Sequence, residues 1–121
     1  MNEAVITVFN EEGRPLIAIF KYYGGHPEGL GVFLRRFLKD RTVIRGNPNP
    51  ELRDRLKIAN GMGDLAAQLI CELKKKSFVG DVYISPIGIN MGVKYIYNIR
   101  FGGYGHPVTL EVRKTHYGEE S

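Results

Sequence analysis

The sequence predicts an α+β domain: an antiparallel sheet of about five strands with two main helices packed on one face. Three observations carry that expectation. Two short β-branched runs, AVITVF at 4–9 and LIAIFKYY at 16–23, flank the turn-forming NEEGRP. Two central segments repeat apolar residues at helical spacing, and the last third alternates apolar with polar residues. The order reads β-β-α-(α)-α-β-β-β, with helices set between two antiparallel groups. At 121 residues the chain is expected to be a single domain, 1–121.

The first two runs form a β-hairpin. Leu30, Phe33, Leu34, Phe37 and Leu38 then recur at i, i+3, i+4, i+7 and i+8, one face of an amphipathic helix. Arg35, Arg36 and Lys39 fall on its solvent side. Pro27 and Glu28 suit a first helical turn, because proline lacks only an N–H that is unpaired there and a carboxylate suits the positive end. His26 is then the N-cap or its neighbour. Gly29 and Gly31 sit awkwardly in those turns, each disfavoured by about 1 kcal/mol relative to alanine. Either the helix begins later, near Leu30, or something packs closely on that backbone, which would make the segment a binding edge or a subunit contact.

Residues 40–49, DRTVIRGNPN, read as a turn-rich connection. PELRDRLK, from Pro50, reads as a short helix capped by Asn49 with Leu52 and Leu56 inward. In NGMGDLAAQLICELKKK, Leu65, Leu69, Ile70 and Leu73 make a second apolar face, with Ala66 and Ala67 as small packing residues. Lys74, Lys75 and Lys76 suit the negative end of that helix. Strands follow at 81–85, 93–101 and 108–113. Val93, Tyr95, Tyr97, Ile99 and Phe101 share one face by alternation. The face away from the helices is expected to carry tyrosines and to be covered by a second subunit.

Composition narrows the function classes. The chain is 43% hydrophobic and 25% charged, so a packed domain rather than disorder is expected. Cys71 is its single cysteine, which forbids an intrachain disulfide. No signal-peptide pattern and no apolar run of membrane-spanning length occurs, so a cytoplasmic protein is expected. A net charge of +4 permits anionic partners. The basic residues are spread, with concentrations at Arg41–Lys57 and at the lysine triplet, rather than forming one dense nucleic-acid stripe.

Little in the sequence marks catalysis. His26, His106 and His116 lie at no metal-ligand spacing, and paired cysteines are absent, so neither metal nor other cofactor is expected. Ser77 and Ser85 lack a nucleophile-elbow context. Cys71 is placed on or at the border of the buried helix side, where it acts as a small hydrophobe. Glu28 with His26 is a conceivable acid–base pair, although Glu28 is more simply a helix-start residue. An enzyme is therefore the less favoured reading.

The glycine corners are the remaining candidates for binding. Tyr23, Gly24, Gly25 and His26 form one, where the chain turns from strand to helix. Asn60, Gly61 and Gly63 form the other, at a helix entry whose backbone N–H groups attract anions unless Asp64 caps them. Neither corner matches a nucleotide fingerprint, and both glycine sets have a simpler use in tight turns. Arg41, Arg45 and Arg100 are placed as phosphate partners, with Tyr23, Tyr95 or Tyr97 stacking on a base.

YYGGHPEGLG, ANGMGDLAAQLICELK, GDVYISPIG and YIYNIRF together resemble a family of small phage and bacterial proteins. The family pattern has a Y-D-G-Y-P-E-G turn, an N-G-M-G-D-L-A-A-Q-L-I helix and a Y-x-Y-x-I strand. The likeness covers roughly residues 15–101. Asn60 to Ile70 follows the helix motif. At the turn, Gly24 stands where the pattern has aspartate and His26 where it has tyrosine. The resemblance implies a phage or prophage setting, hence a host cytoplasm, and carries no activity with it.

These readings rank a non-enzymatic, homo-oligomeric binding protein first, sequestering a small anionic ligand such as a nucleotide signal. An adaptor for a host protein comes second, a basic nucleic-acid binder third, and an enzyme last.

Overall fold

The computed structural model describes residues 2–46, 57–88 and 92–119. Strands β1 (Ala4–Phe9), β2 (Pro15–Lys21), β5 (Val82–Ser85), β6 (Tyr95–Arg100) and β7 (Thr109–Lys114) form one sheet in the order β5-β2-β1-β6-β7. A second sheet pairs β3 (Thr42–Ile44) with β4 (Ile58–Asn60) in parallel. Helix α1 (Val32–Leu38) follows a π-helical turn at Pro27–Gly31, α2 spans Gly61–Lys75, and the short α3 is His116–Glu119. The fold is α+β, as the patterning predicts.

The hairpin forms as expected, from Ala4 opposite Lys21 to Phe9 opposite Pro15, with an irregularity between Val8 and Phe9. Ala4, Ile6, Val8 and Ile19 face the helices and are buried. From β6 and β7, Tyr95, Tyr97, Ile99, Leu110 and Val112 join them. Leu30, Leu34, Phe37 and Leu38 of the first helical segment close this core, together with Met62, Leu65, Ala66, Leu69 and Leu73 of α2. Each fully buried aliphatic side chain of this size contributes about 1.5–3 kcal/mol, so the two apolar stripes hold the helices on the sheet.

The sheet is mixed, which corrects the all-antiparallel expectation. Strand β6 pairs with β1 in parallel, from Ala4 opposite Tyr95 to Val8 opposite Ile99. The cause is topological. β5 adds to the outside of β2, and the chain then crosses to the far side of β1, where β6 runs in the same direction as β1. The connection carries Val93 onto the face away from the helices, where it is buried with Val5, Ala18 and Phe20. Val93 therefore does not share the face of Tyr95 and Tyr97, and the chain's own crossover covers part of the outer face.

Other expectations shift locally. Tyr95 and Tyr97 point into the helix-side core, and the outer face carries Phe20, Tyr22 and Ile96 instead. Cys71 is exposed, because it lies two positions from both Leu69 and Leu73 and so turns away from the buried stripe. Ala67 is exposed for the same reason, whereas Ala66 is buried. Thr42–Ile44 and Ile58–Asn60 form strands where a turn and a helix lead-in are expected, because a three-residue segment has too little periodicity to announce a strand. The expected short helix from Pro50 lies outside the described residues, apart from Lys57.

Candidate functional site

The strand-to-helix corner is filled by the protein itself. A side chain at Gly25 would overlap the Asn2 carbonyl and approach the Ala4 Cβ to 2.7 Å. The Gly25 N–H donates to the Asn2 carbonyl at 2.7 Å, and its own carbonyl accepts the buried Tyr97 hydroxyl at 2.6 Å. A Cβ at Gly29 would lie 2.8 Å from the Gly24 carbonyl and 3.1 Å from the His26 ring. Regular α-helix thus starts late, at Val32, as the first alternative for these glycines has it, and what packs on the earlier backbone is the chain's own rather than a binding partner's. His26 occupies the N-cap with extended backbone, φ −71° and ψ 159°, yet its ring does not cap; Nδ1 meets the Asn2 amide nitrogen at 3.3 Å.

The helix entry at Asn60 is also internally satisfied. The Met62 N–H donates to Glu11 Oε2 at 3.1 Å, and the Asn60 N–H donates to Asp64 Oδ2 at 2.8 Å. Glu11 comes from the β1–β2 turn, so the hairpin supplies the carboxylate that the positive helix end favours. Gly61 has φ +85°, a conformation open chiefly to glycine.

The predicted site residues therefore separate. Tyr23 packs against Phe78, with ring centroids 5.1 Å apart. Arg45 is exposed beside the small sheet. Arg100 lies over the Phe9 ring at 3.9 Å and pairs with Glu111 at 2.6 Å. Asn60, Gly61 and Gly63 open α2. Of the ten, Arg41 lines a cleft beside the first helical segment, and Gly24 lines the lobe next to it.

That cleft, about 570 Å³, lies between the first helical segment and the C-terminal half of α2. Val32, Phe33 and Phe37 supply its apolar wall; Arg36, Arg41 and Lys76 bring cations, and Glu28 and Glu72 bring carboxylates. A lobe of about 200 Å³ continues from it past Gly24, Leu30, Leu73 and Ser77. Gly29, Phe33, Glu72 and Lys76 line both spaces, so they form one groove.

Arg41 is held rigidly. Its Nε donates to the Phe37 carbonyl at 2.9 Å, Nη1 donates to Gln68 Oε1, and the guanidinium covers the Phe37 ring at 4.0 Å. Burial pulls its pKa down from the usual arginine value, while Glu72 and Asp64 pull the other way. The Glu72 carboxyl is held below the usual range, first by its hydrogen bond from Lys75 at 2.8 Å. Arg36 and Lys76 make no ion pair among the described residues. Chemically, the groove offers an aromatic and aliphatic wall beside two solvent-facing cations and one fixed guanidinium.

Sequence reasoning placed Arg36 on the solvent side and gave Lys76 only a helix-end role. The usable signal was their position at the flank of each apolar stripe: Phe33, Arg36 and Phe37 on one helix, Glu72 and Lys76 at i and i+4 on the other. Among the described residues no group of three or more His, Cys, Asp or Glu side chains is placed to hold a metal, and no helix is long and apolar enough to cross a membrane.

No family model matches the chain, and neither a curated protein nor a solved structure shows significant similarity to it.

Proposed function

We propose that the protein is a non-enzymatic binding protein of phage type that holds a small anionic molecule of the nucleotide class in the groove between its two main helices. The observation that carries this reading is the convergence of Arg36, Arg41 and Lys76 on a cleft walled by Phe33 and Phe37. Its size suits a small ligand, since such pockets run from about 300 to 1,000 Å³. A base or similar flat apolar body stacks on Phe33, while phosphate oxygens meet Arg36 and Lys76. Arg41, fixed by Gln68 and the Phe37 carbonyl, loses little freedom when a ligand arrives. Glu72 is engaged by Lys75 and so repels an anion less than a free carboxylate does.

Isothermal titration of the purified protein against mononucleotides and cyclic dinucleotides tests this reading. At least one class is expected to bind, and the double variant Arg36→Glu, Lys76→Glu is expected to weaken it at least about tenfold, the equivalent of ~1.4 kcal/mol. No heat from any nucleotide, or binding unchanged in the double variant, overturns it.

A further inference from the structure

Strand β5 is an edge of the main sheet, and its outward backbone groups can be assigned. The Tyr22 N–H donates to the Asp81 carbonyl at 2.8 Å, one step beyond the Lys21–Val82 rung. Hydrogen-bonded and non-bonded pairs alternate along an antiparallel ladder. Phe20 with Tyr83 and Ala18 with Ser85 are therefore the bonded pairs to β2, and Val82 and Ile84 direct their N–H and C=O groups away from the sheet. Lys74 Nζ already donates to the Val82 carbonyl at 3.0 Å. The Val82 N–H and both groups of Ile84 remain.

The edge strand itself contains no charged residue, and Lys74 is the charge that reaches its outward backbone, at the Val82 carbonyl. The strand's four residues, Val82-Tyr83-Ile84-Ser85, contrast with the opposite edge, β7, which bears Glu111, Arg113 and Lys114. Charged side chains are a common protection of sheet edges. Around β5 the surface is apolar: Tyr23, Phe78, Val79, Tyr83, Ile84 and Ile87 are 42, 58, 97, 41, 64 and 50% exposed. Ring contacts link Phe78 to Tyr23, Tyr23 to Tyr22, Tyr22 to Phe20 and Phe20 to Tyr83, making the aromatic part continuous.

We propose that a second copy of this chain pairs with β5 about a two-fold axis through Ile84, joining the two sheets edge to edge. In this register each Ile84 N–H meets the Ile84 carbonyl of the other copy. A shift that pairs Val82 with Ile84 instead brings an N–H onto the carbonyl that Lys74 occupies. At roughly 200 Å² per fully exposed residue, the six expose about 700 Å² per copy in all, the most this patch can bury, against ~800 Å² per partner in a standard interface.

Sedimentation equilibrium of the full chain over a dilution series tests the proposal. The expected mass at the upper end is twice 13.7 kDa. Ile84→Lys is expected to sediment as a monomer with an unchanged far-UV circular dichroism spectrum, since its side chain is largely exposed. Should that variant fail to fold, Val79→Glu, at an almost fully exposed position, decides alone by weakening the dimer at least about tenfold. A monomer at every concentration overturns the proposal and leaves the edge to a strand of another protein. A dimer that persists in a folded variant overturns it as well. Nucleotide binding in the groove is read out separately, so failure of either proposal leaves the other standing.

Discussion

The hydroxyl of Tyr97 donates to the carbonyl of Gly25 at 2.6 Å, tying a central strand to the corner before the first helical segment across 72 residues of chain. Tyr97 has no exposed surface. A side chain at Gly25 would collide with the Asn2 carbonyl, so this glycine is what lets the corner approach β1. One polar contact inside the apolar core thus fixes where the strand hands over to the helix.

Replacing Tyr97 with phenylalanine keeps the ring and strands the Gly25 carbonyl. A buried polar group left without its partner is disfavoured by about 1–3 kcal/mol. Urea denaturation of Tyr97→Phe is expected to show a loss of that size with an unchanged m-value; an unchanged midpoint would show that the bond contributes nothing net.

The same tyrosine gives a pH dependence. Burial is the first cause that raises its pKa from 10.0 to about 12. The unfolded chain therefore loses this proton near pH 10 while the folded chain keeps it to about 12. Its contribution is fully present below pH 10 and declines as pH rises from 10 to 12, by about 1.4 kcal/mol per pH unit at most. Stability curves for parent and Tyr97→Phe should converge across that window, and parallel curves would refute the assignment.

Two glycine substitutions should act in opposite directions. Gly25→Ala forces a Cβ against the Asn2 carbonyl and Ala4, and is expected to destabilise by about 1–3 kcal/mol. Gly63, inside α2, has open space where a Cβ would stand and is not among the positive-φ glycines. Gly63→Ala is expected to stabilise by about 1 kcal/mol through helix propensity. Thermal melts of the two variants on the same day distinguish them; a stabilising Gly25→Ala would discredit the packed corner.

Asp81 is buried at the start of β5, and its carboxylate accepts from Lys21 Nζ at 2.5 Å and from the Tyr23 N–H at 2.9 Å. Asp81→Ala leaves both donors unmatched and is expected to lose about 2–3 kcal/mol. Asp81→Asn retains an acceptor for Tyr23 and should fall between. Equal losses in the two variants, measured by guanidinium denaturation, would show that the Tyr23 bond is immaterial.

The elements of this fold were legible because each carries its own period. Leu30, Leu34, Phe37 and Leu38 mark a helical stripe whatever lies beside it, and the alternation at Tyr95, Tyr97 and Ile99 marks a strand face in the same way. Val93 was misplaced because alternation holds only while the strand continues, and here the strand begins at Tyr95. The three-residue strands β3 and β4 are too short for a period, and their pairing depends on a partner distant in sequence. The groove was illegible for a related reason. Arg36 and Lys76 sit on different helices, and only their packing makes them neighbours.

By itself the sequence determined the hairpin, the two amphipathic helices, the later strands and the basic charge, since periodicity, turn chemistry and composition are properties of contiguous residues. Only the tertiary structure decided that β6 lies parallel to β1, that the crossover covers part of the outer face, and that Glu11 satisfies the Met62 N–H from 51 positions away. Those outcomes depend on how the whole apolar surface is buried and on which polar groups then find partners. No single segment encodes that.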